Sequence, residues 1–172
     1  MIAISYSLTG NNQALAKSVA EQLKIKHYDV KENKKRNIWT IAFDLLFNRT
    51  PKVLPEKDTF KGSDTILFFG PIWIGSVATP LRQYLKSVKR DNCKYAFISI
   101  SGGADNSNPK IGDELEKITG KKPEIIIDMH IADLLPENPK PTREITSAYR
   151  LNQKDKLKLT EIIVGKIENL NL

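Results

Sequence analysis

The sequence predicts an α/β fold, a doubly wound, five-stranded parallel sheet with helices on both faces. Short apolar runs rich in β-branched and aromatic residues recur along the chain. They lack the in-out alternation of half-exposed strands, as expected of a sheet covered on both sides. Between them lie longer segments whose apolar residues repeat at helical spacing. Glycine-containing loops follow three of the runs directly, which places a ligand-binding end on such a sheet.

Taken in order, Ile2–Tyr6 is the first strand, and Leu15, Val19, Ala20 and Leu23 mark the helix after it. Lys26–Val30 is a second, weaker strand candidate. Thr65–Phe69, Tyr95–Ile100 and Glu124–Asp128 complete the sheet, with Leu81, Leu85 and Val88 and then Ile111, Leu115 and Ile118 marking the helices between them. Strand and helix alternate with crossovers long enough for parallel pairing. The proline-rich connector Leu135–Pro141 resists helix, and a C-terminal helix, in one or two pieces, covers about residues 142–170. A helical insertion at about residues 33–50 breaks the rhythm. Its apolar stretch Ile38–Phe47 carries Trp39, Phe43 and Leu46 at helical spacing. It reads either as a helix packed on the sheet or as a cover over a ligand site, a dimer surface or an interfacial helix flanked by Lys34, Lys35, Arg36 and Arg49. No internal repeat or second domain is visible, so residues 1–172 read as one domain.

The composition excludes several classes. The apolar runs are far shorter than the roughly 20 residues a membrane-spanning helix needs, and no secretory signal pattern is expected at the N-terminus. The single cysteine, Cys93, allows no internal disulfide and fits a reducing compartment, so the expected location is cytoplasmic. The net charge of +7 is concentrated in residues 1–86, with 13 Lys/Arg against 7 Asp/Glu. Its densest part, Lys31–Arg36, lacks interleaved aromatics or a nucleic-acid motif and reads as a solvated loop, so nucleic acid is not the expected partner.

The chemistry lies in the loops. Ser7-Leu8-Thr9-Gly10-Asn11-Asn12 runs from the first strand straight into a helix. A helix N-terminus offers unpaired N–H groups and positive potential, which suits a phosphate; the same residue types also make an ordinary helix cap. The loop is neither a Walker A sequence nor a GxGxxG fingerprint. After the third strand, Gly70-Pro71-Ile72-Trp73-Ile74-Gly75-Ser76 forms a rigid turn, with Trp73 either a stacking face for a planar ring or a core anchor. The fourth strand ends in Ser101-Gly102-Gly103-Ala104-Asp105-Asn106. In an open parallel sheet these three loops meet where ligands bind.

The first strand running into SLTGNN, the central FFGPIWIG and the later SISGGADN together resemble the flavodoxin-like FMN-binding flavoproteins, over about residues 1–128. The resemblance implies strand order 2-1-3-4-5 and FMN as cofactor. It also implies a phosphate site at Ser7, Thr9, Gly10, Asn11 and Asn12, and ring contacts from Pro71, Ile72, Trp73 and Gly75 on one side and Ser101, Gly102, Gly103 and Asp105 on the other. The function it implies is an FMN-binding oxidoreductase, taking electrons from NAD(P)H or a reductase and giving them to a quinone or another small acceptor. The alternatives are a non-catalytic electron carrier serving a redox partner protein, and a binding or scaffold domain without flavin. The sequence departs from the carriers in its basic charge, with pI near 9.4, in a third loop without a ring-stacking aromatic, and in residues 129–141, which match no motif. His27 and His130 read as structural or exposed and no metal site is expected; Cys93 reads as a bystander; Asp105 and Asp128 read as caps or turn residues.

Overall fold

The computed structural model describes residues 1–32, 40, 43, 44, 46, 47, 49–56, 60, 62–103, 108–170 and 172. Its main sheet is built from β1 (Ile2–Ser5), β2 (Lys26–Asp29), β5 (Thr65–Phe69), β8 (Lys94–Ser101) and β9 (Ile125–His130) in the order β2-β1-β5-β8-β9. Every pairing is parallel, and counted along the sheet the order is the expected 2-1-3-4-5. Two antiparallel ribbons were not legible beforehand. One pairs β3 (Lys31–Glu32) with β4 (Val53–Leu54), and the other pairs β6 (Ile72–Trp73) with β7 (Ser76–Val77).

The helices are α1 (Asn11–Leu23), α2 (Arg82–Asp91), α3 (Ile111–Thr119), α4 (Arg143–Ala148) and α5 (Gln153–Asn169). Burial on both faces accounts for the unbroken apolar strands, since alternate residues feed two separate cores. Ile4, Phe68, Tyr95 and Phe97 point to the α2 and α3 side, together with Tyr84, Leu85 and Leu115. Ala3, Leu67, Phe69 and Ile98 point to the α1 and α5 side, together with Leu15, Val19 and Ile163. Each fully buried side chain of this kind contributes roughly 1.5–3 kcal/mol. The C-terminal segment divides in two because Tyr149 is extended and Asn152 starts a new helix with a capping box to Asp155. The connector before it is irregular, as the prolines require, although residues 131–134 form a short 3₁₀ turn.

The insertion falls partly outside the described residues, including Trp39, Lys34, Lys35 and Arg36. Of its described part, Thr40, Phe43, Asp44 and Leu46 are helical. Phe43, Leu46 and Phe47 are exposed; Ile38, Ile41, Ala42 and Leu45, on which the packed reading also depends, lie outside the described residues. The Phe43 and Phe47 rings lie 4.4 Å apart and Arg49 sits 5.4 Å from the Phe43 centroid.

Candidate functional site

The first loop leaves β1 with Tyr6 N–H donating to the Phe69 carbonyl at 2.9 Å. The chain then turns through Ser7–Gly10, and α1 starts at Asn11 behind Gly10, whose φ of 91° is accessible to glycine at little cost. Ser7 Oγ accepts from the Asn12 N–H at 3.2 Å. The two asparagines act as clamps. Asn12 Nδ2 donates to the Ile100 carbonyl and Asn12 Oδ1 accepts from the Ile100 N–H, both at 2.9 Å. Asn11 Nδ2 donates to the Tyr149 carbonyl at 3.0 Å, and its Oδ1 accepts from Leu151 N–H at 3.1 Å. Both residues are buried, so their side-chain amides fix α1 to β8 and to the start of α5. Leu8 is exposed and Thr9 half-buried in this loop, while the first two residues of the helix are buried.

The second loop is fixed at both ends. Gly70 N–H donates to the Ile98 carbonyl at 3.0 Å, and Pro71 accepts from Ala78 N–H at 3.1 Å. A Cβ on Gly70 would fall 2.3 Å from Leu81 Cδ1, so a larger residue there would make the buried Leu81 side chain shift. Between these anchors stands the β6–β7 hairpin, with Ile74 and Gly75 at its tip at φ 51° and 75°. Two positive φ values in a two-residue loop are the pattern of a type I′ turn, in which a β-branched residue such as Ile74 is disfavoured. Trp73 is half-buried and meets Tyr6 edge-on, with ring centroids 5.7 Å apart, while Ile74 is 85% exposed. Glu114 of α3 holds the hairpin from behind: Oε2 accepts from the Val77 N–H at 2.6 Å and Oε1 from Arg82 Nη2 at 3.0 Å. A groove of about 570 Å³ opens between Ile74–Ser76 and the start of α3, with Asn108, Lys110 and Lys117 on its far wall. That volume lies within the range of small-molecule sites.

The third loop lies on the end of β9. Gly102 accepts from Ala132 N–H at 3.1 Å, and a Cβ on Gly103, at φ 74°, would fall 2.3 Å from His130 Cβ. Asp105 lies outside the described residues. His130, which the sequence reading set aside, is half-buried beneath this loop. Its Nε2 lies 3.4 Å from Asp128 Oδ2 and its Nδ1 lies 3.7 Å from Asp133 Oδ2. Asn108 Nδ2 donates to the same Asp128 oxygen at 3.2 Å. The D-x-H-x-x-D spacing was the available signal, because a strand end followed by a tight turn brings those three side chains together.

Ser101, Gly102 and Gly103 therefore stand beside the ends of β1 and β5, where Ser7–Asn12 and Pro71–Gly75 emerge. α1 covers one face of the sheet, and α2 and α3 cover the other, so the crossovers change sides between β1 and β5. That is the topological switch point at which open α/β sheets bind ligands. No protein-family model and no curated protein sequence matches the chain. Solved structures do. A flavoprotein from Lactobacillus acidophilus NCFM, solved in complex with FMN, superposes with a TM-score of 0.63 at 19% identity, over 74% of this chain and 91% of that one. A protein from Bacteroides eggerthii DSM 20697 gives 0.63 at 12% identity over 94% and 96%. An archaeal flavodoxin gives 0.52 at 14% identity over the whole of both chains. The chain has the flavodoxin-like fold.

Within this flavodoxin-like fold, a second polar cluster sits at the ends of β1 and β2. Ser5 Oγ and His27 Nε2 are 2.8 Å apart, and Gln13 Nε2 donates to Asp29 Oδ2. Burial pushes the His27 imidazole down and the Asp29 carboxyl up. Ser5 is fully buried, so this serine, histidine and aspartate offer no accessible nucleophile. Cys93 is buried too, and burial raises its thiol, which suits a bystander. No helix among the described residues is long and apolar enough to cross a membrane.

Proposed function

We propose that this chain binds FMN at the three-loop site and transfers electrons, as an oxidoreductase drawing on NAD(P)H or a reductase and delivering to a quinone or another small acceptor. The observation that carries this reading is the convergence of the β1, β5 and β8 loops at the switch point, beside the start of α1. The likeness to a flavoprotein whose structure contains FMN supports it. FMN would supply the redox chemistry, and the protein would supply placement and electrostatics.

Residues of the three loops divide that work. N–H groups at the head of α1 and the Thr9 hydroxyl would hold the phosphate, while Asn11 and Asn12 keep the loop in shape through the clamps described above. Trp73, with one edge against Tyr6, and Pro71, Ile72 and Gly75 would border one side of the ring, with Ser101, Gly102 and Gly103 on the other. The single buried cysteine fits a cytoplasmic setting.

A second reading, a carrier that only shuttles electrons to a partner protein, is favoured by the end-to-end match with an archaeal flavodoxin. Steady-state oxidation of NADH and NADPH by the FMN-loaded protein, with and without a soluble quinone, separates the two. Turnover dependent on quinone supports the oxidoreductase, and none with either nucleotide leaves the carrier.

A further inference from the structure

Beneath the third loop, β8 and β9 present a two-rung ladder of polar side chains. The register pairs Ser99 with Asp128 and Ser101 with His130. Ser99 is fully buried. Among the described residues, Ser99 Oγ, Asp128 Oδ1 and His130 Nε2 are all buried without a hydrogen-bond partner. Buried polar atoms are satisfied in the large majority of cases, and an unsatisfied one calls for a specific explanation. The geometry here is that of an imidazole between two carboxylates, with Asp128 at 3.4 Å from one ring nitrogen and Asp133 at 3.7 Å from the other. His130 is also in van der Waals reach of the Gly103 backbone, leaving no room for a side chain there.

We propose that His130 is a redox-linked proton site, taking up one proton on its imidazole when electrons are added to the cofactor beside Gly103. The inference rests on the proposed FMN site. Bound FMN would gain negative charge at the ring margin on two-electron reduction. An imidazolium below Gly103 would offset that charge, and Asp128 and Asp133 would each hold one of its N–H groups. The electrons come from the donor and the proton from solvent, and the proton taken up rests on the His130 imidazole with no other bond made or broken there. Among the described residues, charged groups on neighbouring elements include Lys110 and Asp113 at the start of α3, beside Asn108, and Arg143 and Glu144 on α4, whose Thr146 abuts Gly102. Of the two flanking carboxylates Asp128 is the nearer and the more buried, while Asp133 is 74% exposed and screened by solvent.

By linkage, if reduction raises the proton affinity of His130, protonation of His130 raises the tendency of the cofactor to be reduced by the same factor. The chain has two histidines, and His27 lies on β2, the opposite edge of the sheet from β9, roughly 19 Å away at ordinary strand spacing. It is a built-in control. The test is an NMR titration of both imidazole Cε1–H signals in FMN-loaded protein, oxidised and then reduced with dithionite, with His27→Gln and His130→Gln each available to assign them. Reduction is expected to raise the proton affinity of His130 by about fivefold or more, the lower end of ordinary coupling between sites, and to leave His27 unmoved. Equal His130 titration in both states of a protein shown to hold flavin would overturn the proton role alone. Failure to load FMN would overturn the site reading and this inference together.

Discussion

Asn12 shows how a single residue type can be read correctly for place and differently for role. An asparagine at the start of a helix beside a glycine suggests a polar group for a ligand, yet its amide pairs with both polar groups of the Ile100 peptide, two hydrogen bonds of 2.9 Å. Asn12→Ala leaves that buried donor and acceptor unmet and is expected to lower unfolding free energy by about 2–4 kcal/mol, measured by urea denaturation with the slope unchanged. His27 gives a second prediction at this scale. Burial lowers its affinity for protons in the folded chain, so the unfolded chain protonates first as pH falls. Its contribution to stability is therefore complete above the ordinary histidine value of 6.5 and is lost below it. Unfolding free energy should decline between pH 7 and 5, and His27→Gln should flatten that decline. Asp29, raised by burial, acts in the opposite sense at more acidic pH.

At the scale of the element, the strands and main helices were legible because burial leaves a period in the sequence. Thr65–Phe69 was placed to the residue, and the C-terminal helical segment was placed after its proline-rich connector, with its division in two left open until the caps at Thr142 and Asn152 were seen. The β6–β7 hairpin was not legible. Two-residue strands leave no periodicity, and the turn that joins them uses Ile74 where asparagine or glycine is the usual signal. Ile74→Asn should relieve the left-handed strain and stabilise the protein by about 1 kcal/mol, read as a raised thermal midpoint. Glu114 was equally hidden, since its partners Val77 and Arg82 are more than thirty residues away. Glu114→Gln keeps one acceptor and loses the other, which should cost about 1–2 kcal/mol of stability. By loosening the hairpin it should also weaken FMN binding about tenfold, both measurable on the same sample.

At the scale of the whole molecule, the strand order was reached through resemblance in three loops, and the structure reproduces it. The loops identified in the sequence do emerge together, because three adjacent parallel strands end at one edge of the sheet. What sequence could not supply was the support behind them: the clamps from Asn11 and Asn12 and the Glu114 strut join residues distant in the chain, whereas the His130 cluster is local and its spacing was passed over. The central claim is that this edge holds FMN by its phosphate, at the head of α1. The measurement that tests it most directly is titration of the apoprotein with FMN, riboflavin and FAD, followed by flavin fluorescence and repeated with Thr9→Leu. The account predicts that FMN binds at least about tenfold more tightly than riboflavin, as charge-assisted hydrogen bonds to a phosphate would give, and that Thr9→Leu erodes the advantage without weakening riboflavin. Equal affinity for FMN and riboflavin, or no flavin binding at all, would contradict it.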